Sequence, residues 1–297
     1  MARVIDLHLH SVFSDGSEVP ERICEMAADV GVSAIALTDH DGTAGVQRAR
    51  ARSAELGLRF VAGCEVSCRA ATGSLHMLCY FPNAVGGAEG SFAAELDRLA
   101  ADRSSRNEQM AAKLAALGIP ITYEEVVEEA GGRGIGRPHF AAVLVRNGVA
   151  DSMQDAFNRY LGSGAPGYVQ KARLGPAEAI EIARESGAVA VVAHPLSLGL
   201  EPPELEQLVS DLAVVGLGGL ESYYGRYEPE VRTELAAMAR RHGLTPTGGS
   251  DFHGSYKPDL AVGIGTGNLD VPDDLFDELE ARIGALATAA PAASAGT

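Results

Sequence analysis

Apolar residues along the chain follow two rhythms. Seven short, β-rich runs stand out: RVIDLHLH (3–10), SAIALTDHD (33–41), LRFVAGCEVS (58–67), SLHMLCYF (74–81), AVAVVAHP (188–195), GLGGLESYY (216–224) and GLTPTGGSDFHG (243–254). Several are separated by PERICEMAADVG, AGVQRARARSAELG, GPAEAIEIARESG and EPEVRTELAAMARRHG, with apolar residues three and four apart and a closing glycine. That is the pattern of an amphipathic helix with a glycine stop. Strand and helix alternating in this way predict a parallel sheet, open or closed. Residues 84–170 break the rhythm, with helical segments such as SFAAELDRLAADRSSRNEQMAAKLAALG and PHFAAVLVRNG and no convincing strand. They predict a helical insertion between the fourth and fifth strands. At a strand's C-terminal end, such an insertion would sit over the site of an α/β protein. ALATAAPAASAGT, residues 285–297, reads as a disordered low-complexity tail.

Composition narrows the class. The chain has 297 residues, 46% of them hydrophobic, enough for one large α/β domain or a barrel carrying an insertion. No run approaches the roughly 18 apolar residues of a membrane span, and the N-terminus enters a strand without signal-peptide features. A cytoplasmic protein is expected, with no membrane contact and no obligate protein partner. Cys24, Cys64, Cys68 and Cys79 form no CxxC pair and read as buried thiols. A formal net charge of −16 disfavours binding a long polyanion through a broad basic surface. If the protein acts on a phosphate, the positive charge must be local, and bound divalent metals are the obvious source.

The unusual polar residues fall at the ends of the runs. In VIDLHLHSVFSDGSEVP, His8 and His10 sit two apart, with Asp6 before them and Asp15 after. On a strand they share one face and Leu7 and Leu9 the other. Two imidazoles beside a carboxylate make a metal-binding surface; a pair of hydrogen-bonded core histidines is the other reading. Thr38, Asp39, His40 and Asp41 close the second run and Glu65 the third. His76 lies in the fourth, His194 ends the fifth, Asp251 and His253 end the last, and Glu221 is the candidate in the sixth. In parallel α/β folds these ends gather on the face that carries the site. Of 8 histidines, six lie at strand ends, His139 lies in the insertion and His242 near a helix end. With Asp15, Glu65 and Asp251, the six make a ligand set suited to two or three metals.

The motifs DLHLHSVFSDGS, ALTDHDG, GCEVS, AHP and GGSDFHG, in this order, resemble the PHP (polymerase and histidinol phosphatase) family over residues 3–82 and 171–270. The insertion with its GRPHF segment resembles the nucleotide-phosphatase branch, whose members act on AMP and 3',5'-nucleoside bisphosphates or trim short RNA from the 5' end. The resemblance implies a distorted seven-stranded (β/α) barrel over 1–83 and 171–284, a helical cap over 84–170, and a tail over 285–297. It also implies a trinuclear centre. His8, His10, Glu65 and Asp251 would hold one metal, Glu65 with His76 and His194 a second, and Asp15, His40 and His253 a third. Mixed imidazole and carboxylate ligation favours Mn, Fe or Zn over Mg.

Such a site suits a phosphoesterase without a protein nucleophile, in which a metal-bridging hydroxide attacks phosphorus. Specificity is expected from Arg137 and His139 in GRGIGRPHFA, and from Lys171, Arg173 and Lys257. Tyr223, Tyr224 and Tyr227 read either as a base platform or as packing. The general acid is open between His139, a metal-bound water and none. The expected substrate is a small phosphorylated nucleotide (AMP or a 3',5'-nucleoside bisphosphate) or short single-stranded RNA. Histidinol phosphate and phosphoserine are the alternatives within the chemistry, and amidohydrolase-type C–N hydrolysis lies outside it.

Overall fold

The computed structural model describes residues 4–82 and 90–289. All seven runs contain strands: β1 (Val4–Asp6), β2 (Val32–Leu37), β3 (Arg59–Cys68), β4 (Leu75–Phe81), β5 (Val189–Ala193), β6 (Gly219–Tyr224) and β7 (Thr245–Gly249). They form one seven-stranded sheet in sequence order, and the chain beyond β1 reaches back to β7. Leu7 N donates to Gly248 O at 3.0 Å, Asp251 N to His8 O at 2.9 Å and His10 N to Phe252 O at 3.0 Å. The result is a nearly closed barrel with helices around it.

The strand–helix rhythm predicted a parallel sheet, and the sheet is instead mixed. β4 runs antiparallel to both β3 and β5, with Ser67 opposite His76 and Ala62 opposite Phe81. Its first residues, not its last, therefore lie at the end of the barrel where the other strands finish.

Helices α1 (Pro20–Asp29) and α2 (Val46–Leu56) cover the first strands. α1 begins on a proline whose missing N–H costs nothing there, and it buries Ile23, Cys24 and Ala27. α2 stops at Gly57, held at φ 71°. After β4 come α3 (Gly90–Ala116), α4 (Tyr123–Glu129), α5 (Arg137–Arg146) and α6 (Met153–Ala156), the last running into a π-helical turn at Phe157–Leu161. No strand interrupts them among the described residues. α7 (Pro176–Glu185), α8 (Pro202–Val215), α9 (Pro229–Arg241) and α10 (Asp274–Ala289) complete the chain. The sequence expectations include neither α8 nor α10. α10 continues to Ala289, so residues 285–289 are helical rather than part of a disordered tail; residues 290–297, and residues 83–89 at the start of the predicted insertion, lie outside the described residues.

Alternate strand residues divide the core. Ile5, Ala36, Val61, Tyr80 and Val191 from five strands meet Phe276 and Leu279 of α10, which is possible only inside the barrel. Cys64, Met77, Ala190 and Val192 pack outward against α7, α8 and α9. A separate cluster around Met110, Leu114, Phe140, Val143 and Leu144 holds the α3–α6 helices together. All four cysteines are free and buried, as expected. No described helix is long and apolar enough to cross a membrane.

Candidate metal centre

His8 and His10 lie just beyond β1, on the extension tied to β7, and both are fully buried. Because the chain is irregular from Asp6 onward, Leu7 and Leu9 do not share an environment as an unbroken strand would require. Leu7 packs inside the barrel and Leu9 against α1. The two imidazoles nevertheless converge, with their Nε2 atoms 3.0 Å apart. Glu65 Oε2 is 3.4 Å from His8 Nε2 and 3.2 Å from His10 Nε2. Asp251 Oδ1 closes the group at 3.5 and 3.4 Å from the same nitrogens.

The other oxygen of Glu65 faces a different pair: His76 Nδ1 at 2.8 Å and His194 Nε2 at 3.0 Å. His76 reaches this point because β4 is reversed. Asp15 gathers the remaining donors, with His253 Nε2 3.3 Å and His40 Nε2 3.7 Å from its carboxylate. Every one of the nine expected ligands thus points into one connected cluster. Within it, His10, Asp15, His40 and His253 offer donors within 4.8 Å of one another, as do His8, His10 and Glu65, and His40, Glu65 and His76.

The donor set fits divalent cations on two grounds. Asp15 Oδ1 and His40 Nδ1 are buried without hydrogen-bond geometry to any group, although neighbours lie within ion-pair range. An unmade contact of that kind is costly unless something else fills it. In addition, with His8 Nδ1 committed to Glu221, the Nε2 atoms of His8 and His10 face one another 3.0 Å apart as lone-pair donors that a metal would use better than they use each other.

Supporting contacts fix the donors from behind. Glu221, fully buried, accepts from His8 through Nδ1 at 2.8 Å and from the His194 backbone N–H at 2.6 Å. This leaves His8 Nε2 free for the centre. Asp39 accepts from Ser11 N, Ser11 Oγ and Ser14 Oγ at 2.7, 2.7 and 2.6 Å and so pins the turn carrying Asp15. Tyr224 OH and Lys257 Nζ hold Asp251 Oδ2 at 2.9 and 2.6 Å, turning Oδ1 inward. Asp6 accepts from Ser250 N and Gly263 N, and burial pushes its carboxyl up to about 6. Three non-glycine residues here have positive φ: Asp41 at 49°, His194 at 27° and Asp251 at 55°. Such strain persists only where the surroundings over-determine it, commonly at functional sites.

Above the donors lies a cavity of about 220 Å³, lined by Asp15, His40, His76 and His253 and by six cations. Arg137 was expected there from the sequence as a substrate contact, with Lys171, Arg173 and Lys257 as weaker candidates of the same kind; Arg103 and Arg106 of α3 were not. Arg106 is buried, and desolvation lowers its guanidinium to about 10. Its Nε has no hydrogen-bond partner. Lys171 Nζ bonds Ser67 Oγ at 2.8 Å and Asp41 Oδ2 at 2.5 Å, while burial pushes its ammonium down to about 8. Arg103 also reaches Asp41 and bonds His40 O at 2.7 Å.

His139 does not join this lining. Its Nδ1 accepts from Gly136 N at 3.0 Å and its ring stands edge-on to Tyr256, 5.0 Å away. A histidine at the third position of a helix can cap the helix start in this way, and that is its use here. Nor do the three tyrosines form a base platform: Tyr223 packs against the barrel's inner cluster, Tyr224 holds Asp251, and Tyr227 OH accepts from Leu196 N at 2.9 Å.

Residues 6–121 match the PHP domain family. The 3',5'-nucleoside bisphosphate phosphatase of Chromobacterium violaceum is 34% identical over 280 residues, spanning 94% of this chain and 97% of that protein. The 5'-3' exoribonuclease Rnm of Salmonella typhimurium is 34% identical over 254 residues, 85% of this chain and 86% of its own. A structure from Bifidobacterium adolescentis, described as a metal-dependent phosphoesterase, superposes with a TM-score of 0.83 at 32% identity, covering 95% of this chain and 97% of that one.

Proposed function

The chain belongs to the PHP family and is a metal-dependent phosphoesterase, and from that premise we propose that it releases phosphate from nucleotides, with 3',5'-nucleoside bisphosphates and AMP foremost and short RNA as a related substrate. The observation that carries the reading is the pairing of a donor cluster, seven residues in mutual range with His194 and Asp251 in contact with them, with six cations around one small cavity. A single phosphate held by metals needs few of those cations. A substrate with a second phosphate uses them, in a protein whose net charge, these cations included, is −16.

We assign three divalent ions, manganese foremost, to the ligand groups His8–His10–Glu65–Asp251, Glu65–His76–His194 and Asp15–His40–His253. Bound there, they supply Lewis acidity at the phosphate and water activated near neutral pH. The protein's own groups do the rest. Glu221 fixes the tautomer and angle of His8, and Lys257 with Tyr224 keeps one oxygen of Asp251 facing inward. Arg103, Arg106, Arg137 and Lys171 orient the anion and neutralise charge as the P–O bond breaks. His139, turned toward its own helix start, is not the general acid in this scheme. The barrel over 1–83 and 171–284 supplies the centre and the helices of 84–170 its cover. Buried free thiols accord with a cytoplasmic setting.

A Mn²⁺-supplemented panel of nucleoside 5'-monophosphates, 3',5'-bisphosphates, phosphoserine, histidinol phosphate and short RNA tests this. The wild type should prefer the bisphosphate or AMP, and His8→Ala should lose at least 100-fold in kcat/KM. Preference for histidinol phosphate would overturn the substrate; equal inactivity of both proteins on all of them would overturn the enzyme.

A further inference from the structure

We propose that a second cleft beside the metal cavity takes the nucleoside end of the substrate. This rests on the phosphoesterase reading above and adds where the organic part of the ester lies. The cleft encloses about 500 Å³ and shares His40 and Arg103 with the metal cavity, so one ligand can run through both. At about 220 Å³ the metal cavity falls below the range of roughly 300–1,000 Å³ usual for small-molecule sites, whereas the cleft falls within it.

The two spaces differ in chemistry. Metal donors and cations dominate the first. The second is walled by Ala93, Leu96 and Ala100 of α3, by Ile135 and by the half-buried ring of Phe13. Asn107 shows how its wall is fixed: its amide donates to Ile135 O at 2.8 Å and accepts from Arg106 Nη2 at 2.6 Å. Asp97, Ser104 and Arg133 supply polar contacts at its edges. An apolar wall with an aromatic face and a few hydrogen-bonding groups suits a flat, neutral heterocycle and its sugar. The guanidinium carbon of Arg133 already stands 5.6 Å from the Phe13 centroid.

Two substitutions on separate segments test the assignment: Ala100→Trp, which fills the cleft from an exposed helix position, and Arg133→Ala. The readouts are KM for the nucleotide that the wild type hydrolyses fastest and Ki for inorganic phosphate, which needs only the metal cavity. Ala100→Trp should raise KM at least tenfold and Arg133→Ala severalfold, with Ki for phosphate held within twofold in both. An unchanged KM in Ala100→Trp would overturn the proposal, as would a Ki that rises in step with KM. A wild type inactive on every nucleotide would instead remove the reading beneath it, before any variant is made.

Discussion

Lys171 lies at the border between barrel and helical cover, bonded to Asp41 and Ser67 and pushed down to about 8 by burial. As a proposed phosphate contact it is charged below that pH and neutral above it. Nucleotide kcat/KM should therefore fall by roughly tenfold as pH rises from 7 to 9, about the worth of one charged hydrogen bond. Lys171→Arg keeps its charge throughout and should flatten that limb. An identical limb in the variant would show that Lys171 is not its source. For folding the sign is reversed: between about 8 and the ordinary lysine value the unfolded chain binds the extra proton, so this group's contribution to stability rises with pH. Residues of this kind were unevenly legible in the sequence. His8, His10, His40 and His194 stood out because imidazoles interrupt apolar runs. Arg103 and Arg106 did not, because on a long, charge-rich helix nothing in the spacing separates a cavity-facing guanidinium from a solvated one. His139 was misplaced for the converse reason, since its capping bond depends on a backbone turn that the residue types leave open.

The loop that leads into α5 presses directly on the turn carrying Asp15. Gly134, at φ 54°, leaves no room for a side chain: an added Cβ would lie 2.2 Å from Ser14 O and 2.6 Å from the Phe13 carbonyl carbon. Gly131, at φ 60°, meets nothing within 4 Å. Alanine at either site carries a similar backbone penalty of about 1–2 kcal/mol, but only Gly134→Ala also displaces the metal-site turn. Its activity should drop at least tenfold while Gly131→Ala stays within twofold, in kcat/KM measured beside melting curves. Equal losses in the two would reduce Gly134 to a matter of strain alone. At this scale the sequence located every strand but mistook one direction. Only six residues separate Cys68 from Leu75. A parallel crossover needs a dozen or more, so the β3–β4 hairpin was there to be read from length. α8 was equally visible between its two prolines and Gly216 and was passed over, whereas α10 shades into a run of alanines that resembles a tail.

Across the whole molecule, the metal cluster joins segments from residue 8 to residue 253, so ions bound there tie most of the barrel together. Ligand at 100 times its dissociation constant stabilises the folded state by about 2.7 kcal/mol, which in a domain of this size corresponds to roughly 5–10 °C. Chelation should lower the melting temperature by that amount and Mn²⁺ should restore it, with elemental analysis reporting the ions lost. A melting curve indifferent to both treatments would count against resident metal. The reversed β4 has a further consequence. It delivers the chain from His76, in the metal centre, to Phe81 at the opposite rim, about 17 Å away at roughly 3.4 Å per residue. α3, with 27 residues and a length of about 40 Å, makes the return journey. Its early residues Phe92, Leu96 and Leu99 grip the outer wall, and Met110, Ala111 and Leu114 anchor the cover. Arg103 and Arg106 ride on that strut midway. Each residue deleted ahead of them would swing both by about 100° around the axis, so the barrel's height and the aim of its phosphate-gripping arms can change only together.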